Sequence, residues 1–123
     1  MTILIVEDNP VNLDLLAQII ESKYDILTAM DGQAGIDKAL QERPSLILLD
    51  LSLPIKSGWI VCEELRRTLG KEVMPIVALT AHLGCSNRDQ ALKNGFDDYL
   101  TKPVDELYLF ETITRLTSKI VPS

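Results

Sequence analysis

Short apolar runs recur along the chain at regular intervals, and stretches of helical periodicity separate them. Thr2-Ile3-Leu4-Ile5-Val6, Asp25 to Ala29, Leu46-Ile47-Leu48-Leu49, Pro75-Ile76-Val77-Ala78-Leu79 and Tyr99-Leu100-Thr101 have strand length and strand composition. The central one, held between Pro44 and Pro54, does not alternate with polar residues. It is therefore a strand covered on both faces, as in the middle of a parallel sheet.

The intervening segments carry helix signals. Asn9 followed by Pro10 is a start signal, and Val11, Leu15, Leu16, Ile19 and Ile20 form an apolar stripe behind it. Asp31-Gly32 opens a second helix with Ile36, Ala39 and Leu40 inward, ending before Pro44. Ser57 caps a third from about Gly58 to Leu69, with Ile60, Val61 and Leu65 inward and Glu63, Glu64, Arg66 and Arg67 on a solvated face. A fourth runs from Cys85 to Asn94, anchored by Ala91 and Leu92 and stopped by Gly95. The last starts near Asp105 and buries Leu107, Phe110, Ile113, Leu116 and Ile120. Strands alternating with helices predict an α/β fold with a doubly wound five-stranded parallel sheet in the order 2-1-3-4-5.

Length and composition narrow the picture. A chain of 123 residues with 46% hydrophobic content is expected to be one domain over 1–123, with no effector domain and a core that needs no staple. No apolar stretch has the length to cross a membrane, and no basic segment precedes the first strand, so the expected location is cytoplasmic. Cys62 and Cys85 lack ligand-spaced partners and read as free thiols. A net charge of −6 opposes a broad grip on nucleic acid or anionic lipid.

Chemistry gathers where strands end. Glu7 and Asp8 follow the first, Asp50 ends the third, Thr80 follows the fourth and Lys102 the fifth. An aspartate after a strand can simply cap a loop, but these groups share one sheet edge. In the 2-1-3-4-5 order strands 1 and 3 are neighbours at the switch point, where such sheets bind ligands. Three carboxylates there repel one another unless a cation intervenes. An oxygen donor set suits a hard divalent ion, Mg²⁺ above all, with Mn²⁺ as its substitute. Asp50 then reads as a nucleophile that becomes an acyl phosphate. Glu7 and Asp8 would hold the metal, with the backbone carbonyl of Ser52 completing the set. Lys102 would pair with the phosphoryl group, and Thr80 would bond to one of its oxygens.

In order and spacing, Val6-Glu7-Asp8-Asn9, Asp50 with Leu53-Pro54 and Gly58, Thr80-Ala81 and Lys102-Pro103 resemble the response-regulator receiver domain of two-component and phosphorelay signalling, of the chemotaxis-regulator type. The resemblance covers essentially the whole chain and implies the flavodoxin-like (βα)5 fold. It implies a phosphoacceptor, not an enzyme acting on other substrates: Asp50 takes a phosphoryl group from a sensor histidine kinase or a histidine phosphotransfer protein, with Mg²⁺ dependence and slow self-catalysed hydrolysis. Thr80 and Tyr99 would form the switch, and the Lys102-Pro103 bond would be cis. The signal would leave by protein contact to a downstream target through the fourth helix, fifth strand and fifth helix, as a monomer or a phosphorylation-dependent dimer. No direct nucleic-acid contact is expected. Glu7 stands where an aspartate is commoner and could act through water; Lys56 lies close to the pocket and could tune partner choice.

Val6-Glu7-Asp8-Asn9-Pro10-Val11-Asn12 also resembles receivers embedded in hybrid sensor kinases, so an excised receiver is an alternative, as is a docking module that is never phosphorylated. A haloacid-dehalogenase-type phosphohydrolase would need a second aspartate where Ser52 stands. A flavodoxin-like electron carrier would need a glycine- and hydroxyl-rich loop in place of Glu7-Asp8-Asn9. Among the remaining residues, Trp59 reads as packing, His82 as a solvated loop residue or a modulator of water access, and Asp97-Asp98 as remote from the crevice.

Overall fold

The computed structural model describes residues 1–70, 74–81 and 85–118. His82 and Ile120 lie outside them. The elements run β1 (Thr2–Val6), α1 (Pro10–Glu21), β2 (Asp25–Ala29), α2 (Gly32–Glu42), β3 (Leu46–Asp50), α3 (Gly58–Leu69), β4 (Ile76–Thr80), α4 (Cys85–Asn94), β5 (Asp98–Thr101) and α5 (Glu106–Ser118). All pairings are parallel, in the order β2-β1-β3-β4-β5. This is the predicted (βα)5 flavodoxin-like sheet.

Strand periodicity sorts the core into two layers. Ile3, Ile5, Leu46, Leu48, Val77, Leu79 and Leu100 point to one face, where Leu16 and Ile20 of α1 and Leu109, Ile113 and Leu116 of α5 cover them. Leu4, Val6, Ile47, Leu49 and Ala78 point to the other, against Ala39 of α2, Val61 and Leu65 of α3 and Ala91 of α4. β3 and β4 are buried at every position, as their unbroken apolar runs require.

Helix starts follow their caps. Asn9 accepts from the Val11 and Asn12 amides, Asp31 from Ala34, Ser57 from Ile60 and Asp105 from Tyr108. Gly95 ends α4 at φ +109°, the left-handed conformation that favours glycine.

Several apolar residues assigned inward are instead exposed. Val11 and Leu15 are 66% and 56% exposed, because the buried stripe of α1 is narrower and centred on Leu16 and Ile20. Leu107 lies two residues, roughly 200°, from the inward Leu109 and is 71% exposed. Ile60 and Leu92 flank the buried lines of α3 and α4 and are a little under half exposed. Arg66 departs the other way: its guanidinium is buried under the α3–α4 junction, apart from the solvated Arg67.

Candidate functional site

The β1–β3 register opposes Val6 to Leu49, so Glu7 leaves its strand beside Asp50. Across β3, Asp50 opposes Leu79 on β4, which brings Thr80 to the same edge. On β5, Thr101 opposes Thr80, and Lys102 follows, its amide donating to the Thr80 carbonyl at 2.8 Å. Asp8 is exposed at the mouth, while Glu7 and Asp50 are buried. Carboxylate oxygens of Glu7, Asp8 and Asp50 lie within 4.8 Å of one another. The topology thus gathers every strand-end residue singled out from sequence along one edge.

The Lys102 ammonium donates to Glu7 Oε1 at 2.5 Å and to Asp50 Oδ2 at 2.8 Å. The Ser52 amide donates to Asp50 Oδ1 at 2.9 Å, and the Asn9 amide to Glu7 Oε2 at 3.2 Å. Both oxygens of each buried acid are therefore engaged, and among the described residues no buried side-chain polar atom is left without a partner. The Lys102-Pro103 bond is cis.

Electrostatics follow from three acids facing one ammonium. Burial pushes the Glu7 carboxyl above its ordinary value; its contact with Asp50 adds to the rise, and the bonds from Lys102 and the Asn9 amide only partly offset it. Burial works against the Lys102 charge, but the bonds and charges of Asp50 and Glu7 outweigh it and hold the lysine above its ordinary value. The donor set is all carboxylate oxygen, it carries excess negative charge, and it includes a residue open to solvent. These properties fit a hard divalent cation.

Thr80 is buried at the end of β4. Tyr99 is 6% exposed and sits in the core layer with Ala91 and Phe96, its ring bordering a surface cavity that Arg88, Val104 and Tyr108 also line. Ser52 is exposed in the β3–α3 loop. The Lys56 ammonium, in the loop after Asp50, pairs with Glu64 of α3 at 2.9 and 3.0 Å. Trp59 packs edge-on against Phe96, with ring centroids 5.7 Å apart.

Sequence reasoning named Gly32, Gly58, Asp97 and Asp98 but missed two sets of contacts. Gly32 and Gly58 touch the loop after Asp50 so closely that only a residue without Cβ fits. Asp97 and Asp98, at the amino end of β5, are occupied by arginines: Arg66 bonds Asp97 at 2.6 Å, and Arg88 and Arg115 both pair with the buried Asp98. No local pattern marks either set: Gly32 and Lys56 are 24 positions apart and Arg66 and Asp97 are 31 apart, and the shorter separations, from Gly58 to Asp50 and from Asp98 to Arg88 and Arg115, match no helical or strand spacing.

The family model of the response regulator receiver domain matches residues 3–114. The chain is 38% identical over 116 residues to the response regulator PleD of Caulobacter vibrioides, covering 94% of this chain but only 26% of that protein. It superposes with TM-score 0.86 and 34% identity on the receiver domain of the sensor histidine kinase PA1611 of Pseudomonas aeruginosa, a structure with magnesium coordinated in the active-site cleft (95% and 97% covered). It also matches the co-crystal structure of the Saccharomyces cerevisiae phosphotransfer protein Ypd1 with the receiver domain of Ssk1, at TM-score 0.91 and 30% identity (99% and 92% covered). Among the described residues no helix is long and apolar enough to cross a membrane. With the profile match, the fold and the strand-end acids in agreement, the chain belongs to the response regulator receiver domain family of two-component and phosphorelay systems.

Proposed function

We propose that the chain is a phosphoacceptor in which Asp50 takes a phosphoryl group from a phosphohistidine. The observation that carries this is the pairing of Asp50 with Lys102 in a pocket holding two further carboxylates. An oxygen of the Asp50 carboxylate forms the new P–O bond as the P–N bond of the donor breaks, and the electron pair of that bond leaves on the imidazole. Lys102, fixed on Asp50 Oδ2 before reaction, is placed to follow the incoming oxygens and offset their charge. The Ser52 amide holds Oδ1 and so orients the carboxylate. Thr80, at the same edge, would offer its hydroxyl to a phosphoryl oxygen.

Glu7, Asp8, Asp50 and the main-chain carbonyl of Ser52 would hold Mg²⁺ or Mn²⁺. When bound there, the ion would neutralise charge on the phosphoryl oxygens. The coordinated magnesium in the PA1611 receiver supports this assignment.

Phosphorylation would act as a population shift. Added charge at Asp50 favours conformations in which Thr80 and Lys102 reach it, and Tyr99 follows in its packing against α4 and α5. The receiver would thereby regulate protein contacts with a downstream target. The Ypd1 complex supports a phosphotransfer protein as one donor class, and the PA1611 receiver supports a sensor kinase as the other. The chain spans about a quarter of PleD, so an excised receiver remains within this proposal.

Intact mass after incubation with acetyl phosphate, with and without Mg²⁺, tests it on the wild type and Asp50→Asn. One added phosphoryl group that needs both Mg²⁺ and Asp50 is expected. No adduct, with beryllofluoride also failing to bind, would favour a domain that works by docking alone.

A further inference from the structure

We infer that Gly32, at the start of α2, is a positioning residue for the Asp50 site, acting through the β3–α3 loop. The inference rests on the metal-binding reading above. The loop between Asp50 and Gly58 carries Ser52, whose amide holds Asp50 Oδ1 and whose carbonyl is assigned to the metal. Its shape is not one it would take alone. The Pro54 carbonyl accepts from the Lys56 amide at 2.8 Å, closing a three-residue turn around Ile55 at φ 70°. A β-branched residue in that region is strained, and Ile55 is 77% exposed, so no burial offsets it. Such strain persists only where the surroundings over-determine it.

The surroundings are identifiable. The Gly32 amide donates to the same Pro54 carbonyl at 3.3 Å. A Cβ on Gly32 would lie 2.0 Å from the Lys56 carbonyl oxygen and 2.7 Å from the Lys56 carbonyl carbon, so the main chain of the loop rests directly on the first turn of α2. Lys56 is drawn the other way by Glu64 of α3. At the far end Gly58 donates to the Leu51 carbonyl, and a Cβ there would lie 2.2 Å from the Asp50 carbonyl. Leu51 and Leu53 anchor the loop's inner side in the core. Gly32 is thus the outer stop of a clamp that runs through Pro54 and Lys56 to Ser52 and from there to Asp50 Oδ1. The helix acts by where it halts the loop.

Mg²⁺ titration by calorimetry on Gly32→Ala, Ile55→Gly and Gly95→Ala tests it, with thermal unfolding measured alongside. Gly32→Ala pushes the loop off α2 and should weaken Mg²⁺ by about 10-fold, the lower end of what lost outer support of a metal site costs. Ile55→Gly removes the strain but makes the turn pliable, so the stop at Gly32 is no longer passed on to Ser52; it should unfold at the same or a higher temperature and still bind Mg²⁺ several-fold more weakly. Opposite movement of stability and affinity is something a purely structural residue would not produce. Gly95→Ala should lower stability, through its left-handed backbone, with Mg²⁺ affinity unchanged.

Wild-type affinity in folded Gly32→Ala overturns the inference. If that variant does not fold, wild-type affinity in Ile55→Gly overturns it. Failure of the wild type itself to bind Mg²⁺ overturns the metal-site reading together with the inference.

Discussion

Two ionic clusters sit at opposite ends of the sheet and are built on opposite terms. At the carboxyl edge Glu7, Asp8 and Asp50 face the ammonium of Lys102. At the amino end of β5, Asp97 and Asp98 are met by Arg66, Arg88 and Arg115. The second cluster has a guanidinium for each carboxylate and one to spare, so no ligand is needed to neutralise it. The first is short of positive charge and opens to solvent through Asp8. Buried charge that is fully paired holds elements together; buried charge left in excess holds a place for something else.

The comparison breaks first, and hardest, at Arg66. Its side chain is 10% exposed and ties α3 to the Gly95 carbonyl at 2.9 Å, the Met74 carbonyl at 2.8 Å and Asp97 at 2.6 Å. Arg66→Met should cost about 2–3 kcal/mol in urea unfolding, because it leaves the Gly95 and Met74 carbonyls without their charged donor and removes the packed arginine stem, while Asp97 keeps access to solvent. Mg²⁺-dependent phosphorylation of the folded fraction should survive.

Lys102→Met probes the other end and should divide the effects differently. Loss of two charge-assisted bonds should cost about 1–3 kcal/mol without metal. Phosphorylation by acetyl phosphate should fall about 100-fold, comparable to the loss of one preorganised donor elsewhere. A variant that lost stability but kept its rate would make Lys102 a strut, and the contrast between the two clusters would disappear.

The carboxyl-edge cluster was legible in the sequence and the amino-end cluster was not. Parallel strands covered on both faces read as unbroken apolar runs, so the ends of β1, β3, β4 and β5 could be located, and topology placed Glu7, Asp8, Asp50, Thr80 and Lys102 together. Arg66-Arg67 follows Glu63-Glu64 on a helix and has the pattern of a solvated face. Only the α3–α4 packing, which sets Gly95 and Asp97 against Arg66, separates the two arginines. Gly32 gave the same difficulty: its Asp-Gly signal marks a helix start whether or not a loop rests on it. The partner of Lys56 was equally hidden, because a lysine two residues after Pro54 gives no hint that Glu64, eight positions on, would claim it. Val11 and Leu15 have helical spacing, but periodicity does not tell how wide a stripe the sheet will cover.

The smallest effect carries the sharpest sign. Burial and Asp50 raise the Glu7 carboxyl above its ordinary value, so its charged form is disfavoured in the fold. A raised carboxyl contributes stability that is complete below its unfolded value and is lost as the pH climbs through the folded one. At neutral pH the ionised Glu7 is therefore a net cost, which Glu7→Gln removes, while Lys102 keeps its bond to Asp50. The metal-free variant should unfold at higher urea than the wild type at pH 7, and the gap should close as the pH falls toward the ordinary glutamate value of 4.5. Saturating Mg²⁺ should reverse the order, because a ligand stabilises the form that binds it more tightly and the wild type keeps the carboxylate. An amide substitution that destabilised at pH 7 without metal would mean that Lys102 already satisfies the acids. The carboxyl-edge cluster would then be as self-sufficient as its counterpart on β5.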